Sequence, residues 1–270
     1  MKLGVFITLQ DDLDAEFKKV HELGFPTCQL NCWDQERFND ETAQKVRAAS
    51  QKYGVEITSF WCGWEGPAVW DFMDGPLTLG LVPQAFRHER LKMLMKGADF
   101  AVKIGVKDLV THVGFIPENP HDPEYKSLMA TLRYLVQYCR ERDLYFNFET
   151  GQETPVTLLR AIEDIGSDHV GVNLDPANLI LYGKGNPIDA LDVIGKYVRG
   201  VHAKDGFYPT NGRQLGEEVP LGVGKVNIKA LIGKLARIGY DGALTIEREI
   251  SGEQQTQDII LAKSLLEQLV

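Results

Sequence analysis

Long apolar runs are missing from this sequence. No stretch approaches the roughly 18 continuous apolar residues that a membrane-crossing helix requires, so no membrane span is expected. Cysteine is scarce. The four present, Cys28, Cys32, Cys62 and Cys139, form no Cys-x-x-Cys pair. With 270 residues and 44% hydrophobic content, the chain can build a core without disulfide staples, so these read as reduced core thiols of a cytoplasmic protein. Excess positive charge is absent too. The net charge of −9 repels a phosphate backbone and disfavours nucleic acid as a partner. The amino-terminal MKLGVFITLQDDLD has a short apolar run but no small-residue cleavage site, and acids follow at once. It is expected to be a first strand rather than a secretory signal. There is no His-Glu-x-x-His motif and no compact Cys/His cluster. LGVGKV is not a phosphate-binding loop, because it lacks the Gly-x4-Gly-Lys-Ser/Thr spacing and places Val226 after Lys225. It reads as a turn entering a helix.

What is present is alternation. Short β-rich runs occupy Lys2–Leu9, Thr27–Cys32, Val55–Trp61, Asp108–Val113, Tyr145–Glu149, Val170–Asp175, Val198–Lys204 and Ala243–Glu247. Each is followed by a helical pattern, with apolar residues near helical spacing in Asp12–Leu23, Arg87–Ile104, Tyr125–Arg142 and Glu253–Val270. Gly24, Gly54, Gly105 and Gly239 stand between a helix and the next strand, where a left-handed cap residue belongs. Strands alternating with helices imply a parallel sheet. Eight of them, with no linker or composition break, predict one domain over 1–270, an α/β protein with a single (β/α)8 TIM barrel. An open doubly wound sheet is the competing arrangement. Two connections after strand ends are long, Cys62–Pro83 and Asp205–Val226. Loops of that length in a compact domain are usually functional, and barrel active sites lie on that face.

Four strands end in ionisable residues: YFNFE, VNLD, GVHAKD and LTIE. Side chains in a strand alternate faces with period two. Glu149 shares parity with Asn147, Asp175 with Asn173, His202 with Gly200, and Glu247 with Thr245. On the opposite parity lie Phe146 and Phe148, Val172 and Leu174, Val201 and Ala203, and Leu244 and Ile246. The apolar pairs are therefore expected to face the helices and the ionisable residues the barrel axis. Strand ends also carry charge simply because loops are wet, but that does not place all four on one side. Three converging carboxylates repel one another, and a divalent cation removes that penalty. Two Glu, one Asp and one His make a ligand set for one Mn²⁺, Mg²⁺, Co²⁺ or Zn²⁺.

The order Glu, Asp, His, Glu at the ends of the fifth to eighth strands resembles the xylose isomerase-like barrel superfamily, and within it the sugar-phosphate isomerase/epimerase branch. The resemblance covers the whole chain and is carried by THVGFIPENP, NFETGQETPVTLL, NLDPANLILYGKGNP, VHAKD and LTIEREISG. It implies that Glu149, Asp175, His202 and Glu247 hold one divalent metal and that Glu149 and Glu247 also move protons. Two positions depart from the family pattern. Asn178 stands where members often have a histidine, and Tyr208 where they often have an arginine, the nearest arginine being Arg213. The implied chemistry begins with a keto sugar chelated through its carbonyl and a neighbouring hydroxyl. The cation acidifies the adjacent C–H, one glutamate removes that proton, and the other returns it.

Asn178, Arg213, Lys204, His112 and Trp64 are candidate substrate contacts. Lys204 shares the parity of His202. His112 is alternatively a second metal ligand or a plain core histidine. Trp61, Trp64 and Trp70 cluster beside one long loop, where they either stack a sugar or anchor the loop. Arg248, on the opposite parity, is expected in a structural ion pair. The leading function is a metal-dependent isomerase or epimerase of a small keto sugar or its phosphate. A dehydratase of a keto-polyol such as an inosose is the alternative on the same ligand set. An abasic-site endonuclease needs more histidines than the six here and suits the charge poorly. A barrel that only binds sugar leaves the paired glutamates unexplained. The partner is then a small sugar or polyol, and a homo-oligomer is compatible with the sequence.

Overall fold

The alternation of strand and helix closes on itself. The structure, a computed structural model, describes every residue from Met1 to Val270. Eight parallel strands form a closed barrel: β1 (Lys2–Thr8), β2 (Thr27–Cys32), β3 (Glu56–Cys62), β4 (Asp108–Thr111), β5 (Tyr145–Glu149), β6 (Val170–Leu174), β7 (Val198–Ala203) and β10 (Ala243–Ile246). Around the wall the order is β1-β10-β7-β6-β5-β4-β3-β2, so β1 pairs with both β2 and β10 and no edge is left. The open doubly wound sheet is thereby excluded.

Helices α1 (Leu13–Glu22), α2 (Asp40–Tyr53), α4 (Gln84–Ile104), α5 (Pro123–Arg140), α6 (Pro155–Ile165), α8 (Pro187–Ile194), α9 (Ile228–Arg237) and α10 (Glu253–Leu266) form the outer ring. Two shorter ones, α3 (Gly75–Thr78) and α7 (Pro176–Leu181), lie in βα connections. The strand residues assigned to the helix side, Phe146, Phe148, Val172, Leu174, Val201, Ala203, Leu244 and Ile246, all join the main hydrophobic core. All four cysteines are buried and unpaired. The four glycines placed at helix ends have positive φ, between 65° and 85°. No helix is long and apolar enough to cross a membrane.

The barrel axis is polar where barrels of this kind usually stack branched aliphatic side chains. Gln29, Ser59, Asn147, Asn173 and Thr245 are buried there. Two irregularities accompany them: the register shifts between β2 and β3 at Cys28/Gln29, and between β6 and β7 at Val172/Asn173.

The long connection after β7 is an ordered structure. A two-residue ribbon, β8 (Asp205–Gly206) with β9 (Glu218–Val219), opens and closes it. The Asp205 carboxylate accepts hydrogen bonds from the backbone N–H groups of Gly206, Gly222, Gly224 and Val226, at 2.9 to 3.0 Å. The LGVGKV turn therefore grips its own chain's carboxylate. A Cβ on Gly224 would lie 2.2 Å from that carboxylate, so only glycine fits there. Arg248 pairs with Glu218 of the same connection and with Asp258 of α10, at 2.8 Å for the latter, the structural ion pair its parity predicts.

Candidate metal and active site

Four side chains meet at the carboxyl-terminal mouth of the barrel. Glu149 is the last residue of β5 and His202 lies near the end of β7, while Asp175 and Glu247 each follow a strand end by one residue. One ligand atom from each of the four lies within 4.8 Å of the others. His202 Nδ1 is 3.0 Å from Glu247 Oε2, 3.4 Å from Glu149 Oε1 and 3.7 Å from Asp175 Oδ2. Asp175 also caps α7, its Oδ1 accepting from Asn178 N at 2.9 Å. That bond fixes the carboxylate plane and leaves Oδ2 for the cluster. The Glu149 carboxylate accepts a hydrogen bond from Trp61 Nε1 and lies 3.4 Å from His112 Nε2.

His202 Nδ1 and Asp175 Oδ2 are both buried and neither has a well-oriented hydrogen bond, although Glu247 Oε2 lies 3.0 Å from the first and Lys204 Nζ 3.2 Å from the second. Unsatisfied buried polar atoms are rare because each carries a desolvation cost. Two of them facing each other, with two further carboxylates alongside, are what a divalent cation would satisfy. The donor set of three carboxylates and one imidazole suits such an ion. The residues therefore fit the metal that the sequence implies.

The charges of the cluster act on one another. Burial opposes charge on His202, but Glu247 and Glu149 outweigh it and lift its pKa well above the ordinary value. Burial also acts against ionised Glu247, yet Lys204 and His202 hold its carboxyl well below the usual carboxylate range. The protein thus stabilises negative charge here by placing cations against it.

Lys204 supplies one of those cations. It is fully buried, with Nζ at 3.2 Å from Asp175 Oδ2, 3.1 Å from Glu247 Oε2 and 2.8 Å from Glu249 Oε1. Burial acts against its charge, but the three carboxylates raise its pKa well above the ordinary value. The side chain is committed to the acids and does not line the cavity, contrary to the expected contact with a sugar oxygen or phosphate.

A cavity of ≈500 Å³ opens above the cluster. Glu149, Glu247, Glu249, His112, Asn178, Asn31 and Thr8 supply its polar lining. Trp33, Trp61, Trp70, Phe6, Tyr182, Leu181 and Leu215 form the apolar wall. Of the candidate substrate contacts, His112 and Asn178 line the cavity. Trp64 is not on the surface of the cavity. It is buried behind Trp33, ring centres 5.1 Å apart, with Arg90 over its other side, so anchoring is its evident role. Arg213 is exposed on the long connection and also does not line the cavity. Trp33, Phe6, Asn31, Tyr182 and Glu249 were not among the sequence candidates. Phe6 and Asn31 face inward from strands and were accessible to the parity argument, whereas Trp33 and Glu249 lie beyond strand ends, where period two no longer applies.

A further buried acid lies close by. Glu153, in the connection between β5 and α6, is buried with Oε1 unpartnered, and burial pushes its carboxyl up to about 8. An acid whose folded pKa exceeds its unfolded value stays protonated in the fold while the unfolded chain ionises. Stability is therefore lost as pH rises from about 4.5 to about 8, by an amount of order 3–5 kcal/mol. Glu153→Gln removes that loss. Urea denaturation is expected to find the variant more stable than the parent at pH 8 by a few kcal/mol and equal to it near pH 4. Equal stability at pH 8 would mean that Glu153 is ionised in the fold.

Fold and site together define the class: a (β/α)8 barrel with a carboxylate–imidazole cluster at its carboxyl-terminal mouth. The chain belongs to the xylose isomerase-like TIM-barrel family, whose model matches residues 17–265. It is similar to a xylose isomerase domain protein from Planctomyces limnophilus, at 36% identity over 99% of this chain and 96% of that one, with a TM-score of 0.93. A D-tagatose 3-epimerase-like protein shares the fold at 23% identity, over 100% of this chain and 97% of that one, with a TM-score of 0.77. An uncharacterised protein of Methanocaldococcus jannaschii is 24% identical over 99% of this chain and 89% of its own length.

Proposed function

We propose that this protein is a metal-dependent isomerase or epimerase of a small, uncharged keto sugar. The observation that carries the reading is the convergence of Glu149, Asp175, His202 and Glu247, with His202 Nδ1 and Asp175 Oδ2 buried among them and lacking a well-oriented hydrogen bond. These four residues would hold one divalent cation. When bound, such an ion polarises a substrate carbonyl and makes the neighbouring C–H acidic.

The remaining chemistry belongs to the chain. Glu149 on β5 and Glu247 after β10 reach the cluster from strands separated by β6 and β7, so they approach a substrate from different parts of the wall. One carboxylate takes the proton from the carbon beside the carbonyl, and the C–H electron pair moves toward the carbonyl oxygen. The other glutamate enters the step protonated, delivers that proton to the opposite face of that carbon or to its neighbour, and is left ionised. Trp61 orients Glu149, and Lys204 and His202 favour the ionised form of Glu247, the form that takes a proton. Asn178 and His112 are placed to bind sugar hydroxyls, and the tryptophan wall to take an apolar sugar face.

The charge pattern favours an uncharged substrate over a phosphate. No lysine or arginine lines the cavity, and three carboxylates do. Anion recognition ordinarily uses an arginine or lysine clamp.

The test is turnover in D2O by the Mn²⁺-loaded protein, offered free ketopentoses and ketohexoses and their phosphates. The expected result is solvent deuterium on the carbon beside the carbonyl of a free sugar, an isomeric product, and no loss of water. An unsaturated product seen by ultraviolet absorbance would instead make the protein a dehydratase. Absence of exchange with every keto sugar would sink the reading.

A further inference from the structure

We infer that Gln29 is a positioning residue that sets the tautomer of His202 and aims its Nδ1 lone pair at the metal position. The inference rests on the metal reading proposed above. It starts from the polar layer beneath the cluster. A metal-bound imidazole needs one nitrogen deprotonated and the other held as a donor, and the acceptor for that second N–H orients the ring. His202 Nδ1 faces the three carboxylates, and once it gives its lone pair to a cation held among them, Nε2 carries the proton. Its acceptor comes from across the barrel: Gln29 Oε1 lies 2.6 Å from Nε2.

Gln29 is itself fixed. Its Nε2 donates to Ser59 Oγ at 2.6 Å and reaches Asn173 Oδ1 at 3.4 Å. Asn173 Nδ2, a donor, lies 3.0 Å from His202 Nε2 and cannot take its proton, so Gln29 Oε1 is left as the acceptor. Gln29, Ser59 and Asn173 are all buried, in the part of a barrel where aliphatic side chains are the usual filling. Phe6 meets the histidine ring edge-on, at 5.6 Å between centres, and closes another side.

The backbone is shaped around these side chains. The register shift between β2 and β3 falls at Cys28/Gln29 and sets Gln29 opposite Ser59. The shift between β6 and β7 falls at Val172/Asn173 and sets Asn173 opposite Gly200. A Cβ on Gly200 would stand 2.5 Å from Asn173 Oδ1, so a side chain there would displace the amide. Two bulges and a glycine thus make room for one amide network on one histidine nitrogen. Bulges next to active sites commonly re-aim a side chain in this way.

The test is Co²⁺ binding by metal-free protein, read as affinity and as the visible ligand-field spectrum, for the parent, Gln29→Leu and Gln29→Glu. Gln29→Leu is expected to bind Co²⁺ about 10–100-fold more weakly and with an altered spectrum, because His202 loses its acceptor. Gln29→Glu keeps an acceptor oxygen and is expected to retain affinity near that of the parent. If Gln29→Leu does not fold, Ser59→Ala, which removes only the anchor of the Gln29 amide, is expected to weaken Co²⁺ in the same direction. Parent-like affinity and spectrum in a folded Gln29→Leu, or in Ser59→Ala where that variant replaces it, would overturn the inference. A parent protein that binds no Co²⁺ would overturn the metal reading itself, and this inference with it.

Discussion

Glu149→Gln is expected to lower solvent-proton exchange and sugar turnover by about 10²–10⁴-fold, the range contributed by a positioned acid or base. The substitution keeps the size of the side chain and an oxygen able to accept from Trp61 Nε1. It removes the basic oxygen and one of the three anionic donors. Glu149 is buried, touches His202 and His112, and lines the cavity, so no neighbouring carboxylate takes over its position without moving. The rate is to be measured with Mn²⁺ raised to saturation, which separates lost metal from lost chemistry. Retention of more than a tenth of the parent rate at saturating Mn²⁺ would remove Glu149 from the proton path.

Lys204→Met is the second large effect, and it reads out in stability. The ammonium is buried among Asp175, Glu247 and Glu249. Removing one partner of a buried charge cluster leaves the others uncompensated, typically at about 3–5 kcal/mol. The contact with half-exposed Glu249 contributes little, because solvent screens it. Asp175 and Glu247 carry the effect. Denaturation of the metal-free variant should show the loss, and a divalent cation should recover part of it by restoring positive charge at the same carboxylates. An unchanged denaturation midpoint in the metal-free variant would mean that Lys204 does not neutralise the cluster.

The fold was legible because each element announced itself by period. Phe146 and Phe148, or Leu244 and Ile246, sit two apart on faces that pack against helices, and the same count put Glu149 and Glu247 inward. The family resemblance and the parity argument met on the same four residues. Legibility failed where no period operates. Trp64 and Arg213 lie in the two long connections, where nothing local fixes the direction of a side chain. Trp64 turned into the core and Arg213 out to solvent. Lys204 was on the right face, but its partner Glu249 lies past the end of β10, and only the folded chain brings them together. The small ribbon after β7 escaped notice because its strands are two residues long. Gln29 left one readable trace, an amide on the axial parity of a strand, TCQLNC, that is buried throughout. Its role depends on two bulges that no local pattern reveals.

Anomalous diffraction from crystals grown with Mn²⁺ tests the central claim most directly. The expected result is one peak at the carboxyl-terminal mouth, enclosed by carboxylate oxygens of Glu149, Asp175 and Glu247 and by His202 Nδ1. A map with no peak there, or with Mn²⁺ only at surface acids, would contradict it.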